Sequence, residues 1–132
     1  MPRRGEFLEL SREHHAALLL ARDAMRVPPE APRPQWMAMN QRIADYWRES
    51  MAAHFRQEEA LLLRYPGALP GEHVMRLLDE HRTLAAMSVR AGAGGLDVAS
   101  IHEFGRLLAA HARFEDRECF DALQSAAEAA PA

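Results

Sequence analysis

The chain has 132 residues, 48% hydrophobic, 27% charged and 7% aromatic, enough for one domain with a real core. A net charge of −3 and a pI near 6.2 argue against a nucleic-acid footprint, and no stretch of about 18 apolar residues exists to make a membrane-spanning helix. Cys119 is the only cysteine, which excludes an internal disulfide and suits a reducing compartment.

Ala, Leu and Arg dominate while strand-favouring residues are scarce, so the composition favours helices. Every basic residue is Arg, and the arginines are scattered rather than gathered on one face. The first residues run into an amphipathic segment without an apolar h-region, so no signal peptide is expected and the working class is a cytoplasmic protein.

Pro and Gly divide the chain into four helical stretches. The first is expected over 8–25 and ends before Pro28-Pro29. The second, over 35–64, ends before Pro66-Gly67. The third, over 72–91, ends at Gly92, which suits the position after a helix, and Asp97 suits the N-cap of a fourth helix over 98–128. Short connections favour antiparallel neighbours, so the expected fold is an all-α, up-down-up-down antiparallel four-helix bundle occupying 1–132.

Each stretch carries an apolar seam at 3–4 spacing. In chain order the seams read Phe7, Leu10, His14, Ala17, Ala21, Met25; then Ile43, Trp47, Met51, His54, Glu58, Leu61, Tyr65; then Val74, Leu77, His81, Leu84, Ser88; then Ile101, Phe104, Leu108, His111, Glu115, Ala122. Each seam thus has titratable groups in the middle of a face that should be buried. Left unpaired, each would cost roughly 2–7 kcal/mol. Six converging on one level of the core require a common partner, and a metal is the economical one.

Two segments are near copies. Ala52-Ala53-His54-Phe55-Arg56-Gln57-Glu58 matches Ala109-Ala110-His111-Ala112-Arg113-Phe114-Glu115. The i, i+4 spacing puts His and Glu on one helix face about 6 Å apart along the axis. Leu10 to His14 likewise echoes Leu77 to His81, each His being preceded by Glu. A buried His–Glu hydrogen bond accounts for one such pair; a repeated pair with two further seam histidines needs more. His14 lies on the seam and aligns with His81, whereas its neighbour His15 falls at the flank.

This order of motifs resembles the hemerythrin-like domains, also called HHE cation-binding domains, over nearly the whole chain. The resemblance implies a four-helix bundle with a non-haem di-iron centre, carboxylate- and oxo- or hydroxo-bridged, held by His14, His54, Glu58, His81, His111 and Glu115. The two glutamates would bridge the irons. Oxygen-carrying hemerythrins have a fifth histidine one turn before the helix-three ligand, where this chain has Leu77, and His73 is too distant to replace it. The implied site is more symmetric and more open than a carrier's. Imidazole and carboxylate also suit zinc or a mixed centre. Ferritin-like di-iron sites use more carboxylates.

The resulting expectation is a protein that binds oxygen or a related diatomic for sensing, storage or stress response. The alternatives are a di-iron oxidoreductase acting on oxygen, peroxide or nitric oxide, an iron-handling protein, and a metal-free interaction bundle. Tyr65 and Cys119 are the candidate proton donors, Cys119 reading otherwise as a small buried hydrophobe. Glu59 and Asp116 read as solvated or Arg-paired, His73 and His102 as surface residues, and Trp47, Phe55, Phe104 and Phe114 as core. The sequence does not set the oligomeric state.

Overall fold

The computed structural model describes residues 2–130, and all regular structure among them is helical. Four helices follow in sequence: α1 (Gly5–Met25), α2 (33–64), α3 (Gly71–Gly92) and α4 (98–129). They form the expected antiparallel bundle, with α1 packed along α4 and α2 along α3. The first three helices begin one to three residues before the expected starts, because Arg4, Pro32 and Pro70 each serve as an extended N-cap.

The breaks work through identifiable backbone devices. Asp97 caps α4, its side chain accepting from the Ser100 amide at 2.8 Å. At the end of α3, Gly92 still belongs to the helix, and the left-handed residue is Gly94, with φ +69°. The amides of Gly94 and Gly95 donate to the Ala91 and Arg90 carbonyls at 2.9 and 2.8 Å, the two bonds of a Schellman cap. Asn40, fully buried on α2, then grips the loop: its amide donates to the Leu96 carbonyl at 2.8 Å and its oxygen accepts from the Leu96 N–H at 2.9 Å.

Both α2 and α4 contain one π-helical turn, at Trp47–Met51 and Glu115–Cys119. Each turn inserts a residue into the helical repeat and rotates everything beyond it. The expected seams therefore slip there. Leu123 is buried in place of Ala122, and Trp47 is only half-buried. The seam of α1 also ends one residue early, at buried Ala24 rather than at exposed Met25.

The core is two apolar clusters with a polar layer between them. One gathers Leu20, Ile43, Leu84, Phe104 and Leu108, and the other Phe7, Leu10, Leu61, Leu77, Phe120 and Leu123. Fully burying each large side chain stabilises the fold by roughly 1.5–3 kcal/mol. Along α1 and α3 the switch between clusters falls at His14, between Leu10 and Ala17, and at His81, between Leu77 and Leu84.

Candidate metal centre

His14, His54, Glu58, His81, His111 and Glu115 are all buried in that layer, with Glu115 wholly inaccessible. His15, one residue from His14, is exposed on the outer face of α1. The four Nε2 atoms point inward at the two glutamates. His14 Nε2 lies 2.9 Å from Glu115 Oε1, and His54 Nε2 lies 2.9 Å from Glu58 Oε2. His81 Nε2 is 3.0 Å from Glu58 Oε1, and His111 Nε2 is 3.3 Å from Glu115 Oε1. Glu58 thus offers one oxygen to a histidine of each half of the chain.

The donors fall into two groups, His14–His54–Glu58–Glu115 and Glu58–His81–His111–Glu115, each compact enough to hold one metal ion. Both glutamates belong to both groups. A bound cation fits this arrangement on two counts. The Nε2 atoms of His54, His81 and His111, both Glu58 oxygens and Glu115 Oε2 are buried with no hydrogen-bond partner. Each such orphan costs about 1–3 kcal/mol, and a shared cation would satisfy them together. The spacing agrees as well: nitrogen and oxygen donors bonded to one ion at about 2.1 Å and at right angles lie roughly 3.0 Å apart.

Every imidazole has a second partner at its other nitrogen. Nδ1 of His14 meets Asp116 at 3.0 Å, that of His54 meets Glu13 at 3.0 Å, that of His81 meets Glu59 at 2.8 Å, and that of His111 meets Glu80 at 2.7 Å. An ionised carboxylate can only accept, so each Nδ1 carries a proton, and an imidazole that gives up its other proton to a metal turns the Nε2 lone pair to the centre. Glu59 and Asp116, with side chains 45% and 33% exposed, do meet solvent as expected, but each also supports a ligand-position histidine. Glu13 and Glu80, visible in sequence only as the residue before a seam histidine, do the same.

Without metal, the histidines hold protons tightly. For all four, burial is the largest single influence and lowers the pKa, but the surrounding carboxylates together outweigh it. His14 is pushed up to about 11, through Asp116, Glu115 and Glu58, and His54 to about 10, through Glu115 and Glu58. His81 rises to about 9, through Glu115, Glu58 and Glu59, and His111 to about 8, through Glu115 and Glu80. For Glu115, burial acts upward, yet His111, His14 and His54 hold it well below the usual carboxylate range.

Aromatic rings close two sides of the layer. Phe55 lies flat on His81, centroids 3.8 Å apart, and Phe120 lies nearly parallel to His14 at 5.2 Å. On a third side, a cavity of about 10 Å³, room for roughly one water-sized molecule, touches His14, His54, His111, Ala112 and Tyr46. Tyr46 is the residue the seam reading misses. It precedes His54 by eight residues, which the π turn reduces to seven helical steps, two full turns, so it shares the face of His54. Tyr65 instead packs against the apolar cluster around Leu61. The Cys119 thiol is buried and pushed up to about 12, chiefly by that burial, so it is a poor proton donor and thiolate.

The sequence model of the hemerythrin HHE cation binding domain matches residues 6–123. The chain belongs to that family. No curated protein and no solved structure gave a match. Family membership and the two donor groups together make this a metal-binding hemerythrin-like protein. Within the hemerythrin fold, Leu77 is buried in an apolar cluster, and His73 joins neither donor group. The His73 ring, half-buried rather than on the surface, meets Phe114 edge-on at 5.4 Å. His102 is likewise half-buried, its Nε2 at 2.6 Å from the Val27 carbonyl. Among the described residues, no helix is long and apolar enough to cross a membrane.

Proposed function

We propose that this hemerythrin-like chain holds two iron ions, one on His14 and His54 and the other on His81 and His111, with Glu58 and Glu115 shared between them. The observation that carries this reading is the pair of overlapping donor groups, most of whose inward-facing atoms lack a hydrogen-bond partner. The donor set is nitrogen-rich, with two carboxylates, which suits iron while remaining open to zinc. When bound, the irons supply redox-active Lewis-acid chemistry.

The function we assign is uptake of oxygen or a related diatomic, in sensing, storage or stress response, inside the cytoplasm. The cavity beside His14, His54 and His111 touches histidines of both donor groups, where a small ligand would reach the metals. Its walls are mainly apolar, through Ala17, Met51, Phe55, Leu108 and Ala112, so they exclude bulk water from the ligand position. Oxidoreductase action on peroxide or nitric oxide is the second reading, favoured by the Tyr46 phenol in the wall of that cavity.

The test is metal content and the near-ultraviolet and visible spectrum of protein purified in air. Two irons per chain, with charge-transfer bands that respond to reduction and to oxygen, support the reading. Protein that stays colourless and metal-free after anaerobic incubation with ferrous iron overturns it. Multiple turnovers of peroxide or nitric oxide would select the oxidoreductase over the binding protein.

A further inference from the structure

The four outer carboxylates form a closed cycle. His14 on α1 leans on Asp116 of α4, His111 of α4 on Glu80 of α3, His81 of α3 on Glu59 of α2, and His54 of α2 on Glu13 of α1. Each helix thus gives one imidazole to a neighbour and takes one from the other side. The four contacts span only 2.7–3.0 Å, the range of charge-assisted hydrogen bonds.

Charge is the unusual feature of this ring. Six carboxylates, Glu58, Glu115 and the four outer ones, surround four imidazoles. Among the described residues, the guanidinium paired with an outer carboxylate is Arg76, which donates to Glu80 at 2.9 Å. With Arg76 counted, five negative charges remain around the imidazoles, one more than two divalent ions cancel, so a further positive charge on the metals is accommodated. Glu58 and Glu115 act at low effective dielectric, whereas the outer carboxylates, with side chains 20–45% exposed, act through partly screened charge and through their direct bonds to the imidazoles. A carboxylate on Nδ1 also makes the imidazole a stronger donor to a metal at Nε2.

We infer that Glu13, Glu59, Glu80 and Asp116 are positioning residues that bias the centre toward trivalent iron. The inference rests on the di-iron reading and adds to it that the oxidised form is the stable one, set by residues that touch no metal. The ring holds each histidine in one tautomer and supplies the negative charge that a more highly charged ion pair requires.

The experiment is a mediated redox titration of the iron-loaded protein and of Glu13→Gln, Glu59→Gln, Glu80→Gln and Asp116→Asn. Each amide keeps an oxygen to accept the Nδ1 proton but removes the charge. The expected result is a midpoint potential shifted upward in all four variants, least in Glu80→Gln, where Arg76 already offsets the charge. Potentials that stay put or fall while both irons are retained overturn the inference. For a variant that loads iron poorly, nitrogen-15 NMR of the zinc-loaded wild type supplies the second readout. Protons on all four Nδ1 atoms are expected, and a bare Nδ1 overturns the ring. A wild type that takes up no iron defeats the di-iron reading and this inference with it; unmoved potentials in iron-loaded variants defeat this inference alone.

Discussion

His81 lies face to face with Phe55, the rings 9° from parallel. In the duplicated motif the residue matching Phe55 is Ala112, on the wall of the cavity beside His14. The ligand set is therefore nearly twofold-symmetric, while the phenyl cover from this position is one-sided and leaves the cavity beside His14 for small-ligand access.

Enlarging Ala112 should close that access. In Ala112→Leu we expect the iron protein to keep both metals but to lose azide binding, read from the visible spectrum of the azide adduct. Overpacking the buried position should also lower stability by about 1–3 kcal/mol. Unchanged azide affinity would show that small ligands approach from another side.

Gly105 sits inside α4, where glycine ordinarily costs about 0.5–1 kcal/mol relative to alanine. Its place is explained by α1: a Cβ there would stand 2.7 Å from the Ala21 carbonyl oxygen and 2.8 Å from Met25 Cγ. Gly105→Ala should therefore lower Tm despite its better helix propensity, because a backbone oxygen cannot step aside as a side-chain tip can. A rise in Tm would mean that α1 and α4 separate without cost.

Asn40 satisfies both backbone groups of Leu96. Asn40→Ala strands a buried N–H and C=O, each worth about 1–3 kcal/mol, and should free the α3–α4 loop. Denaturant unfolding measures the loss, and faster hydrogen exchange at the Leu96 amide locates it. Slow exchange at Leu96 in the variant would count against the clamp.

Metal and protons compete for the same nitrogens. In the metal-free protein the folded histidine pKa values, about 8 at His111 to about 11 at His14, lie above the ordinary 6.5. Their contribution to stability is then fully present below about pH 6.5 and is lost as pH rises through the folded values. The metal-free Tm should fall between pH 8 and 11, and metal uptake near pH 7 should release protons. Calorimetry in two buffers of different ionisation enthalpy counts those protons. Uptake heats independent of the buffer, or a metal-free Tm that climbs over this range, would refute the competition.

Most of the bundle and all six inner side chains are legible in the sequence, because 3–4 spacing and a repeated Ala-Ala-His-x-Arg-x-Glu are local signals. Two of the residues the spacing rule misses are separated from their seam by a π turn. Tyr46 and Leu123 each stand one residue out of phase, and no residue type announces the insertion. The roles of Glu13 and Glu80 escape for a different reason. Their partners are on other helices, and a glutamate before a seam histidine looks like any solvated helix residue until the neighbouring helix is in place. Gly94 displaces Gly92 as the cap because either glycine is able to take positive φ.

The two halves are not interchangeable, and the exchange can be imagined concretely. Two copies of the first half, paired about the same axis, would rebuild four histidines and two glutamates. They would also set a phenyl ring against the helix-one histidine of each copy and shut the centre on both sides. Two copies of the second half would put the Ala112 methyl there on both sides. Only the heterogeneous pairing found in this chain sets a phenyl ring on one side and a methyl group on the other, so a nearly symmetric metal site acquires a front and a back.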